Sequence, residues 1–244
     1  MRNLKVFMSY RGTRYHGFQR QENAVAIQNI LEEKLSCITN SQVNIAGCSR
    51  TDTGVHANVY CFSFMTEHSI PCNNIVRAMN SILPDDISIQ SCEEAPEDFH
   101  ARYSCKGKEY VYLVSNRATK DPFKADLALH YPYAMDVTML DRAGKYFIGT
   151  QDFESFCGTN NKKENSVRTI YNFSVEKNDD TVKFTVSGDG FLYNMVRIMV
   201  GTLIFVNEGK INPDSITDII AAKNRAAAGK TAQAHGLYLN KLFY

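Results

Sequence analysis

Lys5-Val6-Phe7-Met8-Ser9-Tyr10, the set Ile27, Ile30, Leu31, Leu35 and Ile38, and Val59-Tyr60-Cys61-Phe62-Ser63-Phe64 lie in the stretch that decides the fold, residues 5–89. The first run reads as a strand. The second recurs at helical spacing, so a helix is expected over residues 25–38. Val43-Asn44-Ile45 and residues 59–64 read as further strands. Asn73 to Leu83 reads as a second helix, stopped by Pro84, because the residue before a proline is pushed out of helical geometry. Ile87-Ser88-Ile89 begins another strand. The order is βαββαβ, the ferredoxin-like pattern.

Working outward, the second half repeats that order. Glu109 to Val114 alternates as a strand, and Val137 to Ile148 reads as a helix. Two strands follow, Thr169 to Val175 and Val182 to Val186, joined by the polar turn Lys177-Asn178-Asp179-Asp180. Phe191 to Asn207 is a long apolar helix and Ser215 to Ala222 a shorter one. The expected architecture is α+β: two ferredoxin-like βαββαβ halves, residues 1–97 and 98–244, with mainly antiparallel sheets side by side and a cleft between them. One parallel doubly wound sheet would contradict it. Segment 158–168 is polar and is expected to be a mobile loop.

Composition narrows the function classes. With 44% hydrophobic and 22% charged residues in 244, the chain has the balance of a globular protein and an ample core. No apolar run reaches the ~18 residues of a membrane span, and Met1 to Val6 lacks the apolar centre of a signal peptide. A cytoplasmic location is expected. The seven cysteines are an odd count without a C-x-x-C pair, so neither a disulfide framework nor a zinc site is expected. Net charge is only +1, but it is segregated. Arg2, Lys5, Arg11, Arg14 and Arg20 precede the first acid, Glu22. Six bases and two acids lie between Arg102 and Lys124, whereas six acids and no base lie between Asp85 and Asp98. Such segregation can build a positive groove for a polyanion on a nearly neutral protein.

Three segments could carry chemistry. In Gly47-Cys48-Ser49-Arg50-Thr51-Asp52-Thr53-Gly54-Val55-His56-Ala57 a polar turn is held between apolar strands. Gly54 permits a tight turn. The guanidinium of Arg50 near Asp52 favours the ionised carboxylate, which suits a nucleophile or base and not a general acid. Asp-Thr-Gly also occurs in aspartic proteases, but those need two carboxylates sharing a proton, and no second such tripeptide exists here. In the apolar helix 191–207, Arg197 sits mid-helix and needs a carboxylate partner if buried; Asp52 is the candidate. In Lys106-Gly107-Lys108-Glu109-Tyr110-Val111-Tyr112, bases alternate with tyrosines on one strand, and Tyr110 and Tyr112 share a face. Tyr10 to Gln21, with Arg11, Arg14 and Arg20, has the same basic-aromatic character in a loop.

Together these segments resemble the TruA family, the tRNA pseudouridine synthase A enzymes, in order along essentially the whole chain. The resemblance rests on Tyr10 to Gln21, Arg50-Thr51-Asp52-Thr53-Gly54-Val55-His56-Ala57, Phe99-His100-Ala101-Arg102-Tyr103 and Lys108-Glu109-Tyr110-Val111-Tyr112. It continues through Asp152-Phe153-Glu154-Ser155-Phe156, the Arg197 helix and His235-Gly236-Leu237-Tyr238-Leu239. It implies that Asp52 is catalytic, that Arg50 helps to splay the target nucleotide, that Tyr110 contacts the uracil, that Arg197 pairs with Asp52, and that Leu237 lines the pocket. Arg11, Arg14, Arg20, Arg102 and Lys108 become RNA-contact candidates. Phe18, Gln151 and Gln233 depart from the family's usual Trp, His and nearby Pro. The resemblance further implies a homodimer acting on uridines 38, 39 and 40 of the anticodon arm.

That reaction breaks the N1–C1′ bond of uridine, turns the uracil and rejoins it through C5. It involves no redox change or net hydrolysis, so no cofactor or metal is expected. A carboxylate could attack C1′ or C6, or take a ribose proton, and the sequence leaves these open. Two rivals remain: a non-catalytic RNA-binding protein of the same fold, and an RNA glycosidase using the same carboxylate.

Overall fold

The computed structural model of the protein describes residues 1–158 and 165–244. Two compact units emerge, Met1–Lys106 with Tyr238–Tyr244, and Gly107–Leu237. Residues 98–106 and 238–244 therefore belong with the first unit.

The first unit opens with β1 (Arg2–Tyr10), whose Leu4, Val6, Met8 and Tyr10 all point inward at period two. α1 (Ile27–Thr39) buries Ile27, Leu31 and Leu35 at four-residue spacing. It ends at Asn40, in the left-handed conformation that asparagine tolerates. β2 (Ala46–Gly47), β3 (His56–Thr66), α2 (Cys72–Ile82) and β4 (Ile87–Ala95) complete the βαββαβ order. β1 runs antiparallel to both β3 and β4, and β2 antiparallel to β3, the strand order 4-1-3-2 of the expected pattern. β10 (Leu237–Phe243) adds a parallel partner to β3 at His56 and Ala57.

One expected strand is corrected. Residues 43–45 form no ladder, and only Ala46 and Gly47 pair with β3. Their backbone donors go to α1 side chains instead: Val43 N–H to Ser36 Oγ at 3.0 Å and Ile45 N–H to Glu32 Oε1 at 3.0 Å. A donor satisfied by a side chain has no need of a neighbouring strand.

In the second unit, β5 (Gly107–Ser115) lies beside β9 (Thr181–Gly188), which lies beside β8 (Val167–Asn178), all antiparallel. The expected turn holds: Asn178 pairs with Thr181, and Asp179 takes a φ of 50°. Two short strands escaped the sequence reading, β6 (Leu129–His130) parallel to β5 and β7 (Gly149–Asp152) antiparallel to β8. α3 (Val137–Lys145) stops before the expected Ile148 and sets Leu140, Ala143 and Gly144 inward, with Gly144 against the Phe173 ring. Phe147 packs against both Phe156 and Phe173, with ring centres 5.1 and 5.3 Å away. α5 spans Ile216–Ala221.

α4 (Met195–Asn207) is apolar on nearly every side and accordingly buried. It begins four residues later than expected from Phe191, because Asn194 at φ 59° cannot continue a right-handed helix. Gly201 lets the chain at Lys230 pass so close that an added Cβ would stand 1.7 Å from the Lys230 carbonyl oxygen. The middle of the polar segment 158–168, residues 159–164, lies outside the described residues. At its ends, the Gly158 N–H donates to the Tyr193 carbonyl at 2.9 Å, and β8 begins at Val167.

Among the described residues, no helix is long and apolar enough to cross a membrane.

Candidate active site

The turn between β2 and β3 carries Asp52, and its backbone is pinned from several directions. Cys48 N–H donates to the Cys61 carbonyl at 2.9 Å. The Tyr60 hydroxyl receives the Ser49 N–H at 3.3 Å and donates to the Ser49 carbonyl. Thr51 Oγ1 shares a 2.7 Å hydrogen bond with Tyr10 Oη, and the Thr51 carbonyl accepts the Phe18 N–H at 3.2 Å. Val55 N–H closes back on the Asp52 carbonyl at 3.1 Å, around Gly54 at φ 78°. Asp52 itself is half-buried, between buried Thr51 and exposed Thr53. The sequence marked this turn; the structure supplies the reason for its rigidity.

The loop after β1 is the second wall of the turn. Gly12 N–H donates to His56 Nδ1 at 3.0 Å, and Gly54 N–H to the Tyr15 carbonyl at 3.3 Å. Gly17, at φ 82°, brings its backbone against Thr51, where a Cβ would stand 2.5 Å from the Thr51 oxygen. His56 is fully buried and stacks on Tyr238 with 4.6 Å between ring centres. Because its Nδ1 accepts, the proton of the neutral ring sits on Nε2. The sequence reading quoted Tyr10 and His56 only within longer motifs and Tyr60 only within a strand, and gave none of them a place in holding this turn. Their only signal was an imidazole and two phenols at inward-facing strand positions, where each needs a hydrogen-bond partner.

The arginines divide into two groups. Arg14 Nε donates to Asp86 Oδ2 at 2.7 Å, and Asp86 Oδ1 takes the Tyr15 hydroxyl at 2.5 Å. Burial alone would raise the Asp86 carboxyl, but those two hydrogen bonds outweigh it and hold it below the ordinary carboxylate range. Burial and the bond to Asp86 push the Tyr15 phenol far above its usual value. Arg20 pairs with Glu32, an almost fully buried acid on α1 that also accepts from Gln28 Nε2 at 2.9 Å and from Ile45 N–H at 3.0 Å. Arg14 and Arg20 thus fasten this loop to the first unit. Arg50 and Arg102, both exposed, instead line one open hollow of that unit. Arg11 is also exposed.

In the second unit, Tyr110 on β5 is buried, with the Phe191 ring edge-on at 5.1 Å and 85°. Lys108 on the same strand is half-buried, and Leu237 is buried. Tyr112 lies fully inside and donates to the Gln233 carbonyl at 2.8 Å. Burial raises its phenol far above the usual value, although the Arg197 charge pulls the other way. Arg197, half-buried on α4, donates from Nε to the Ala232 carbonyl and from Nη1 to Asn194 Oδ1, both at 2.7 Å. The Ala232 N–H returns a bond to the Arg197 carbonyl at 3.0 Å. The plane of the guanidinium is therefore fixed by the chain at 232 and by the residue that caps its own helix. Burial lowers the pKa of nearby His235, and the Arg197 charge adds to the effect while Asp126 opposes it.

Among the described residues no group of three or more His, Cys, Asp or Glu is placed to hold a metal ion.

The family model described as tRNA pseudouridine synthase matches residues 6–104 and 143–244. A protein named tRNA pseudouridine synthase A from Thermoanaerobacter sp. (strain X514) is 43% identical over 244 residues, covering all of both chains. One of the same name from Acetivibrio thermocellus is 45% identical, again over the whole of both. Another, from Bacillus pumilus, is 44% identical over 99% of this chain and 98% of its own.

Proposed function

The chain belongs to the tRNA pseudouridine synthase family, and from that premise we propose that Asp52 is the carboxylate with which it isomerises uridine to pseudouridine, at positions 38, 39 and 40 of the tRNA anticodon stem-loop. The enzyme is an isomerase acting on tRNA. The choice of Asp52 rests chiefly on one observation: it is the carboxylate at the crown of a turn whose flanking backbone is tied down on both sides. A reacting group held this way loses little ordering entropy in the transition state.

The target base must leave the helical stack, at a cost of a few kcal/mol. Arg50, exposed and two residues from Asp52, is proposed to hold the splayed strand. Asp52, as an anion, then acts on the nucleoside by attack at C1′ or C6 or by removal of a ribose proton. The N1–C1′ pair leaves with the uracil, the ring turns, and the new C5–C1′ bond forms; C5 then gives up its proton to a base or water, and N1 takes one up, so the proton count is unchanged. Atoms and electrons balance without a redox partner, so the reading invokes neither cofactor nor metal. Tyr110 is proposed to contact the uracil, and its buried ring braced edge-on by Phe191 supports a fixed stacking surface. Arg197 is proposed as the partner of Asp52. Its fixed guanidinium plane favours that role, since directional pairing with a carboxylate needs an oriented fork. Leu237 is proposed to line the pocket, and Arg11, Arg102 and Lys108 to meet the tRNA backbone. A homodimer working in the cytoplasm completes the proposal.

The decisive experiment is tritium release from C5-labelled tRNA followed by mapping of the modified positions. Release with the base retained, at uridines 38–40, is the expected result. Free uracil would mark a glycosidase, and modification elsewhere in the tRNA would remove the anticodon-arm assignment.

A further inference from the structure

The hollow beside the Asp52 turn joins Arg50 and Arg102 to aromatic groups that the proposed isomerisation leaves without a role. Its lining includes Phe18, Gln28, Arg50, His100, Arg102 and Tyr103. Phe18 is buried and stacked on Tyr60 with ring centres 4.2 Å apart at 23°. Tyr103 is 77% exposed. It is nevertheless held in position: the His100 ring lies 4.4 Å away at 34°, and the Arg102 guanidinium lies 5.8 Å from its centre. His100 Nδ1 accepts the N–H groups of Arg102 at 3.1 Å and Tyr103 at 3.4 Å, so the turn that presents both side chains is built around this imidazole. Ser104 closes it, its N–H donating to the His100 carbonyl at 2.9 Å while its Oγ accepts the His100 N–H at 3.1 Å.

The charge of the hollow is one-sided. Among the described residues no carboxylate lines it, and none stands within ion-pair distance of Arg50 or Arg102, in contrast to Arg14 and Arg20. Fixed aromatic faces beside two guanidiniums match an unstacked base and its phosphate. Arg50 lies two residues from Asp52, at most about 7 Å of chain. A strand whose uridine reaches Asp52 would carry its neighbour to this place.

We propose that the hollow is a second nucleotide subsite, holding an unstacked nucleotide adjacent to the isomerised uridine, with its base against Tyr103 and its phosphate on Arg102. This rests on tRNA being the substrate. Tyr103 and Arg102 then act in substrate holding and strand register, apart from bond making.

The test uses anticodon-arm substrates that each carry one 2-aminopurine beside a target uridine, with the full-length protein and its Tyr103→Ala, Tyr103→Phe and Arg102→Gln variants. The wild type should quench the probe at one flanking position. Tyr103→Ala should lose that quenching and bind tRNA about tenfold more weakly, with turnover at saturation unchanged; Tyr103→Phe should restore both. Arg102→Gln should reduce the salt slope of binding by about one. Wild-type affinity and quenching in Tyr103→Ala, or an unaltered salt slope in Arg102→Gln, would overturn the subsite alone. A wild type that releases no tritium from tRNA would overturn the function and the subsite with it.

Discussion

Tyr10 Oη and Thr51 Oγ1 lie 2.7 Å apart, joining the last residue of β1 to the residue immediately before Asp52. Both side chains are buried, so this bond ties the turn that carries Asp52 to the end of β1. Tyr10→Phe and Thr51→Val each remove one partner and should cost about 1–3 kcal/mol. The double variant should cost less than their sum, because no hydroxyl of the pair is then left over. Chemical denaturation of the four proteins measures the coupling; strict additivity would show that the bond carries no energy.

Asp52→Ala should lower turnover by more than about a thousandfold while tRNA affinity stays within a few-fold of wild type. Single-turnover assays and filter binding separate the two quantities. Retained turnover would take Asp52 out of its role, and lost binding with it would favour a role in RNA holding.

Gly201→Ala pushes a methyl group into the Lys230 carbonyl. The chain at 230–232 must move, and with it the Ala232 carbonyl that orients Arg197. We expect a loss of stability of about 1–3 kcal/mol and a fall in turnover larger than the loss of folded protein explains. Thermal melting beside active-site titration tests this; an enzyme of normal specific activity would detach the anchor from catalysis.

The Asp86 cluster gives a pH signature. Its folded-state pKa lies below the unfolded value of about 3.9. A depressed carboxylate contributes stability that is present above the unfolded pKa and lost as pH falls through the folded one. Asp86→Asn should therefore be destabilised near neutrality by about 1–2 kcal/mol, and its difference from wild type should shrink below about pH 4. Urea unfolding at pH 7 and pH 3 gives the comparison, and a constant gap would assign the loss to packing.

Arg197→Lys preserves charge but not the fork that bonds Ala232 and Asn194 together. Turnover should fall at least about tenfold with little change in tRNA affinity, as steady-state and binding measurements would reveal; full activity would mean that only the charge matters.

How far the sequence reached can be read from particular residues. Period-two burial in β1 and four-residue spacing in α1 are local consequences of which side of each element faces the core, so both were legible. So was the turn around Asp52, since a polar run between two apolar strands with a glycine after it has few other conformations. The sequence by itself thus determined the βαββαβ order of the first unit apart from the place of β2, the α+β class and the residues that resemble a known catalytic motif. Tertiary structure alone decided which arginines are committed to acids: Arg14 meets Asp86 across 72 residues and Arg20 meets buried Glu32 across twelve. It also sent the donors of Val43 and Ile45 to α1 side chains, delayed α4 to Met195, and made residues 238–244, for which no strand was expected, part of the first unit. The physical reason is the same in each case: periodicity records only whether a side chain is buried, whereas the partner that satisfies a buried charge or N–H comes from distant chain and is set by folding.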